Sequence, residues 1–337
     1  MLYVTTRDDK DAYTAYRTLS NSCGSDGGLF VPFQHVNFTD DQIMELSEKS
    51  FCKTVAELLN LFFSSRLDAS DIECCIGRHP VNLVPMSHRI VVCEVWNNPD
   101  WDFSRFVRNL HGRLLGSGDV NGHPTGWTWI AVRIAVLFGI FGQLLRSGSV
   151  SITNPIDLAV SCGDFTAPMA AWYARDMGLP IGTICFACGD NNPLWDLLYH
   201  GQLYPTEKDA FAADLERLIY HTLGRDEAHR YAACLVNKQL FAVNEGQMTQ
   251  MCQGLFCAIV SEKRTISLVR SIYRTNTYML SPNSAQAFGG LQDYRATTNE
   301  TGPALILTEK GPMTAINQVS LATGISIDEL RMRARMA

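Results

Sequence analysis

Side chains that could bind an anion are concentrated in residues 93–106, whose sequence is CEVWNNPDWDFSRF. A short apolar strand leads into this segment, a polar turn interrupts it, and the pattern then predicts a helix. A strand, a tight polar loop and a helix start often hold a reactive side chain. The amides of Asn97 and Asn98 and the guanidinium of Arg105 are donors for phosphate or carboxylate, with the Ser104 hydroxyl beside them. We therefore expect an anionic ligand here.

A second loop, residues 161–167, also has the position of an anion site. It follows a predicted strand at 156–160 and precedes a predicted helix at 168–177, and the next strand is predicted at 181–187. This order implies parallel strands, and ligands of open α/β sheets bind at the carboxyl ends of the strands and the amino termini of the helices. The candidates are Gly163, Asp164, Phe165 and Thr166 in this loop, and Ser284 from a later loop.

Other chemistries lack a motif. The sequence contains no Gly-x-Ser-x-Gly turn and no Gly-Lys-Ser/Thr phosphate loop, so a serine hydrolase and a nucleotide triphosphatase are not supported. Cys185 and Cys188 have the spacing of a redox or zinc motif. They lie in a predicted strand, however, where residues three apart face opposite sides, so we interpret them as core thiols. The histidines show no ligand spacing, and no metal site is expected.

Composition limits the classes of partner and the cellular compartment that we expect for this protein. The 337 residues are 46% hydrophobic and 18% charged, with a formal net charge of -6, so the sequence shows no basic footprint for nucleic acid or an anionic membrane. The one apolar run long enough for a membrane span, residues 127–145, contains Arg133, which favours a buried helix. Eleven cysteines without framework spacing and a first segment without an apolar leader predict a cytoplasmic protein.

Two segments near the start of the chain resemble the amino-terminal signature of the threonine synthases. YVTTR at residues 3–7 corresponds to Tyr-x-Ser-Thr-Arg, and DGGLFVP at residues 26–32 corresponds to Asp-Gly-Gly-Leu-Tyr-Val-Pro. Further matches follow in the order in which that family has them: Glu94, Pro99, Phe103, Gly163, Phe165, residues 177–181, residues 214–218 and residues 281–285. The resemblance extends from Tyr3 to Thr314.

This resemblance implies an α/β protein with the tryptophan synthase β-like fold, which is pyridoxal-phosphate (PLP) fold type II. Two lobes with a cleft between them would follow the family's amino-terminal unit. We expect an amino-terminal domain at residues 1–85 and the α/β domain at residues 86–337. The linker at 119–126 is too short for the family's Ser-Gly-Asp-Thr-Gly segment, so part of the smaller lobe is expected to be deleted.

The sequence departs from the family where the cofactor is held. Ser104 stands at the position of the cofactor lysine, and a hydroxyl cannot replace its amine. In the phosphate cradle an asparagine has become Asp164, and a Gly-Asn pair has become Thr166-Ala167. We therefore predict a pseudoenzyme: a threonine synthase-like protein without PLP catalysis, acting as a ligand-binding or regulatory homologue, with no catalytic residue and no resident cofactor.

An enzyme is the alternative hypothesis. It would be a threonine synthase-type carbon-oxygen lyase of amino-acid metabolism, acting on O-phosphohomoserine or a related phosphorylated amino acid, and PLP would then be its cofactor. Under either hypothesis a phosphorylated amino acid or a protein is the expected partner, and a homo-oligomer is left open. A further hypothesis is that Trp96 and Trp101, which flank the altered loop, fill the space of the cofactor ring.

Overall fold

The computed structural model describes residues 1–76, 81–86, 89–95, 103–116, 126–190, 192–205 and 212–336. The strands are β1 Leu2–Thr5, β2 Tyr13–Thr14, β3 Phe30–Pro32, β4 Asn82–Pro85, β5 Ile90–Glu94, β6 Ile156–Ala159, β7 Ile181–Cys188, β8 Gln202–Leu203, β9 Phe241–Ala242, β10 Leu255–Ile259 and β11 Ala304–Thr308. The helices are α1 Ala15–Ser20, α2 Asp40–Ser47, α3 Phe51–Phe63, α4 Ala69–Ile76, α5 Phe103–Leu115, α6 Gly126–Arg146, α7 Thr166–Asp176, α8 Pro193–His200, α9 Ala212–Leu223, α10 Arg225–Val236, α11 Glu245–Met251, α12 Glu262–Asn276, α13 Pro282–Thr298, α14 Ile316–Thr323 and α15 Ile327–Met336.

The first unit is a small antiparallel sheet, in the order β2-β1-β3, followed by helices. Its Asp-Gly-Gly turn has the predicted left-handed backbone, with φ of 75° at Gly27. Thr39 and Gln42 form a capping box at the start of α2, and the Ser50 side chain caps α3. These local signals explain why the helices begin where they do.

The central sheet has six strands in the order β10-β7-β6-β11-β5-β4. The first five are parallel to one another, and β4 pairs antiparallel with β5 at the edge. Residues 82–85, the last of the predicted amino-terminal domain, form this edge strand, and the division into domains stays a prediction. Since the carboxyl ends of parallel strands share one edge, the described loops after β6, β10 and β11 converge there.

The two faces of the sheet pack into different cores. Side chains such as Leu158 and Phe186 face a core formed with α3, α6, α7 and α9, whereas Ala159 and Cys185 face α12 and α13. This alternation has the period of two that strands impose. Cys188 joins the first core and Cys185 the second, so the prediction that these two cysteines face opposite sides is confirmed.

The apolar helix α6 is long and apolar enough to cross a membrane, but it is buried against α2, α3 and α7. Gly139 allows α3 to approach closely, because a Cβ there would lie 2.6 Å from the Phe51 ring. The prediction of a core helix is confirmed. Its one charged residue before the last turn, Arg133, is only 8% exposed and contributes to the site described next.

Candidate functional site

The candidate site lies at the carboxyl edge of the parallel sheet. Glu94 ends β5, Glu309 follows β11, and the loop of Asp164 follows β6. The described parts of both predicted segments thus lie at strand ends and helix starts, and anion binding by them stays a prediction. Trp96, Asn97, Asn98, Pro99 and Trp101 lie outside the described residues, so the predictions for these residues stay predictions.

Ser104 lies in the first turn of α5. The backbone N–H of Phe103 donates to the carbonyl oxygen of Glu309 at 3.0 Å, which joins the start of α5 to the end of β11. The Ser104 side chain is half-buried and that of Arg105 is exposed. Ser104, which stands where the resemblance predicts a lysine, therefore lies at the carboxyl edge of the sheet.

In the loop of residues 161–167, called the cradle loop below, a carboxylate of the loop itself binds a backbone amide. Phe165 takes a left-handed conformation, with φ of 64°, immediately before α7 begins. The Asp164 carboxylate then accepts a hydrogen bond from the Thr166 N–H at 3.1 Å. Amides at a helix amino terminus are the groups that bind phosphate. Here one of them already has an anionic partner within the chain.

A buried network connects this loop to α9. The Thr166 hydroxyl donates to the Asp214 carboxylate at 2.6 Å, and Arg217 pairs with the other oxygen of Asp214. Burial raises the pKa of Asp214, although Arg217 and the Thr166 hydrogen bond oppose that rise. Arg217 also donates through Nε to the carbonyl of Phe30 at 3.0 Å. The contact of Asp214 with Thr166, 48 residues away, was not apparent from the sequence, whereas Arg217 has the i,i+3 spacing of a helical pair.

The first signature segment, residues 3–7, meets the motif at residues 214–218 at Glu216. Its carboxylate accepts from the Thr6 hydroxyl at 2.5 Å and from Arg7 Nε and Nη2 at 3.0 and 2.9 Å. Glu216 itself is 2% exposed. The amino-terminal signature and the motif at residues 214–218 thus form one structural unit that holds the first domain against the cradle loop.

We expect Glu216→Gln to lower the free energy of unfolding by about 2–3 kcal/mol, because a buried charge-assisted contact to Arg7 is lost. Urea unfolding followed by circular dichroism measures this change. The matched control is Glu329→Gln, which breaks an exposed pair with Arg333 and should cost less than about 1 kcal/mol. Equal costs for the two variants would contradict the structural role of Glu216.

A second buried ion pair joins α6 to the end of β11. Arg133 donates from Nε and Nη2 to the two carboxylate oxygens of Glu309 at 2.6 and 2.8 Å. Its guanidinium also lies 4.6 Å from the ring centre of Phe103. Burial alone would lower the pKa of Arg133, but the Glu309 carboxylate outweighs it and raises that pKa. No sequence pattern indicates this pair, whose members are 176 residues apart.

Glu94 and Ser284 are both held by neighbours. The Glu94 carboxylate accepts a hydrogen bond from the Asn82 amide at 2.8 Å. It accepts a second one from the Tyr278 hydroxyl. Ser284 is 3% exposed, and its hydroxyl lies 2.8 Å from that of Ser281, the residue that caps α13. Ser284, which we predicted as a ligand donor, is therefore part of a helix cap.

Three buried thiols line up where β6, β7 and β10 adjoin. The sulfur of Cys188 lies 3.5 Å from that of Cys162 and 3.6 Å from that of Cys257. Hydrogen bonds with Cys162 and Cys257 lower the pKa of Cys188, whereas the hydrogen bond with Cys188 and burial raise the pKa of Cys162 and that of Cys257. Within the described ranges, no group of three or more Cys, His, Asp or Glu side chains has the arrangement of a metal site.

Lys310 lies at the same sheet edge, although it falls in no motif of the family. It follows Glu309 at the end of β11 and is exposed. The Glu309 carbonyl accepts a hydrogen bond from the Phe103 N–H. Lys310 and Ser104 are the next residues of these two segments, so their backbones lie close together. Its signal in the sequence was its place directly after a predicted parallel strand.

Comparison with known proteins finds similarity to threonine synthases and to threonine synthase-like proteins. Residues 2–79 match the family model described as threonine synthase N terminus. Threonine synthase-like 1 proteins of Homo sapiens and Mus musculus are 23% and 24% identical over 201 residues, which is 56% of this chain. The match covers 26% of the length of those relatives.

Solved structures of threonine synthases have the same fold. PLP-bound threonine synthase from Brucella melitensis superposes with a TM-score of 0.80 at 18% identity, covering 96% of this chain and 92% of that one. The yeast enzyme gives a TM-score of 0.81 at 16% identity, covering 97% and 91%. The predicted fold class, PLP fold type II, is confirmed.

Proposed function

We propose that this chain is a ligand-binding or regulatory homologue of the threonine synthases without PLP-dependent catalysis. The premise is its similarity to their amino-terminal domain and to their fold. The ligand classes that we propose are a phosphorylated amino acid and a protein partner. Eleven free thiols, eight of them buried, support a reducing compartment and hence the proposed cytoplasmic location.

The observation that carries this proposal is the hydrogen bond between the Asp164 carboxylate and the Thr166 N–H. A phosphate at the start of α7 would need that amide and would approach a fixed negative charge. Two unit charges about 4 Å apart repel by about 4 kcal/mol at an effective dielectric of about 20. The half-buried hydroxyl of Ser104 offers no amine for a carbonyl. The described residues thus do not fit PLP at either of its two attachment points.

Lys310 keeps the enzyme alternative testable. When bound, PLP supplies an electron sink, and it requires an amine near its aldehyde. Lys310 is an exposed amine at the same sheet edge as Ser104. If a lysine has moved to a new position in this site, Lys310 is the residue to examine first.

The deciding experiment titrates the purified protein with PLP and records the visible spectrum and the melting temperature together. We expect neither a visible band nor a rise in melting temperature. A band that persists in wild type and disappears in Lys310→Ala would overturn the proposal in favour of the enzyme. Lys263→Ala, an exposed lysine on α12, is the control for nonspecific reaction of PLP with surface amines.

Turnover provides the second measurement. Formation of threonine and phosphate from O-phosphohomoserine by the PLP-treated protein would contradict the proposal directly. If turnover is absent, O-phosphohomoserine without PLP should still raise the melting temperature where the ligand is a phosphorylated amino acid. No rise would leave a protein partner as the proposed ligand class.

A further inference from the structure

A cavity of about 220 Å³ lies on the far side of α7 from the cradle loop. It is enclosed by residues 32–36 of the first unit and by the last turns of α7 and α9. The helix α7 has 11 residues, so the cavity and the cradle loop are about 15 Å apart. The cavity is therefore separate from the candidate site, and its volume lies below the range of about 300–1,000 Å³ that drug-sized ligands occupy.

Aromatic side chains form most of the wall. They are Phe33, Phe62, Trp127, Tyr173, Tyr220 and His221. Several interlock, since the ring centre of Trp127 lies 5.8 Å from that of Phe62 and 5.5 Å from that of Tyr173. Such a connected set of rings is rigid, so its shape changes little when a ligand enters.

The polar atoms of two of these rings are already hydrogen-bonded. The indole N–H of Trp127 donates to the Tyr3 hydroxyl at 3.0 Å, and the Tyr173 hydroxyl lies 2.7 Å from His221 Nε2. Phe62, Trp127 and Tyr173 are 1%, 0% and 5% exposed and form the closed back of the cavity, so the rings that a ligand can reach are Phe33, Tyr220 and His221. Aromatic π-faces carry negative potential and attract cations.

The charge at the rim also favours a cation. The carboxylate of Asp176, 37% exposed, lies at the end of α7 and 3.3 Å from His35 Nδ1. The carboxyl-terminal turns of α7 and α9 both line the cavity, and a helix carboxyl terminus carries partial negative charge.

The arginines near the rim are engaged elsewhere. Arg175 donates to the carbonyls of Gly254 and Gln253 at 2.8 and 2.9 Å. Arg225 lies 5.8 Å from the ring centre of Tyr220 and pairs with Asp9 at 2.7 Å. Arg225 therefore lies near the Tyr220 ring with its charge already paired by Asp9.

We propose that this cavity binds a small organic ammonium ion, with its alkylated nitrogen against the aromatic wall and its charge facing Asp176. The volume suits a ligand with few heavy atoms, such as a quaternary ammonium compound of the size of choline. The first unit contributes one wall and the main body the others, so a bound ligand bridges the two.

The experiment titrates the full chain with choline by isothermal calorimetry, and with 3,3-dimethylbutan-1-ol as the uncharged compound of the same shape. We expect saturable binding of choline at millimolar concentration and binding of the alcohol that is about tenfold weaker. Asp176→Asn should weaken choline binding by about fivefold. Tyr220→Leu should weaken it by about tenfold.

Two controls separate binding from folding. Asp328→Asn removes an exposed carboxylate on α15 and should leave choline affinity unchanged. Urea unfolding of Asp176→Asn and Tyr220→Leu should show a transition like that of wild type. Equal affinity for choline and the alcohol, or no saturable choline binding to the wild-type protein, would overturn the proposal.

Discussion

Replacing Glu309 with glutamine is expected to lower the free energy of unfolding by about 3–5 kcal/mol. The carboxylate of Glu309 is the bidentate partner of Arg133, and Arg133 projects from α6, a helix that is apolar around most of its circumference. Without the Glu309 carboxylate, the guanidinium of Arg133, a residue that is 8% exposed, would have no counter-charge. The same change would weaken the contact between α5 and the end of β11, because Phe103 stacks beneath that guanidinium.

A double-mutant cycle isolates the pair. Arg133→Met should also destabilise the protein, whereas the variant carrying both Arg133→Met and Glu309→Gln should recover part of the loss, since no buried charge is then unpaired. Asp293→Asn is the matched control, because its pair with Arg264 is about one-third exposed and should be worth less than about 1 kcal/mol. Urea unfolding measures all four variants. Additive losses in the cycle would contradict the coupling.

The fold class was implied by the resemblance to the threonine synthases, whereas single elements could be predicted from local signals. The helix at 168–177, Gly178 that ends it and the strand at 181–187 follow from periodicity and turn chemistry, and the structure has these elements within two residues. The order of strands in the sheet could not be predicted in this way. β11 inserts between β5 and β6 although it comes last in the chain, and no local pattern specifies that position.

The candidate site was predicted in part. The anion-site position of residues 161–167 follows from a strand end and a helix start, which sequence patterns do indicate. What occupies the site does not follow, because the Asp164 contact depends on a left-handed Phe165, and left-handed backbone at a phenylalanine has no signature in the sequence. Glu309 and Arg133 are 176 residues apart, so their pairing is a product of tertiary structure alone.

The removal of one charge at the cradle loop should change ligand binding most. We expect Asp164→Asn to bind inorganic phosphate and PLP about tenfold to hundredfold more tightly than wild type. The unscreened repulsion of about 4 kcal/mol is an upper bound, because Asp164 is exposed and water and salt screen it. An asparagine oxygen can still accept from the Thr166 N–H, so the start of α7 should keep its hydrogen bond.

Ionic strength distinguishes this electrostatic cause from a change in shape. The difference in phosphate affinity between wild type and Asp164→Asn should shrink as salt is raised, since exposed charges are screened over about 10 Å at 0.1 M. Asp226→Asn, which removes an exposed carboxylate on α10, should leave phosphate affinity unchanged. If Asp164→Asn binds phosphate no better than wild type at low salt, the carboxylate is not what excludes the anion. Adding Ser104→Lys to Asp164→Asn then tests both attachment points together, because a visible PLP band in that variant alone would trace the loss of cofactor binding to these two residues.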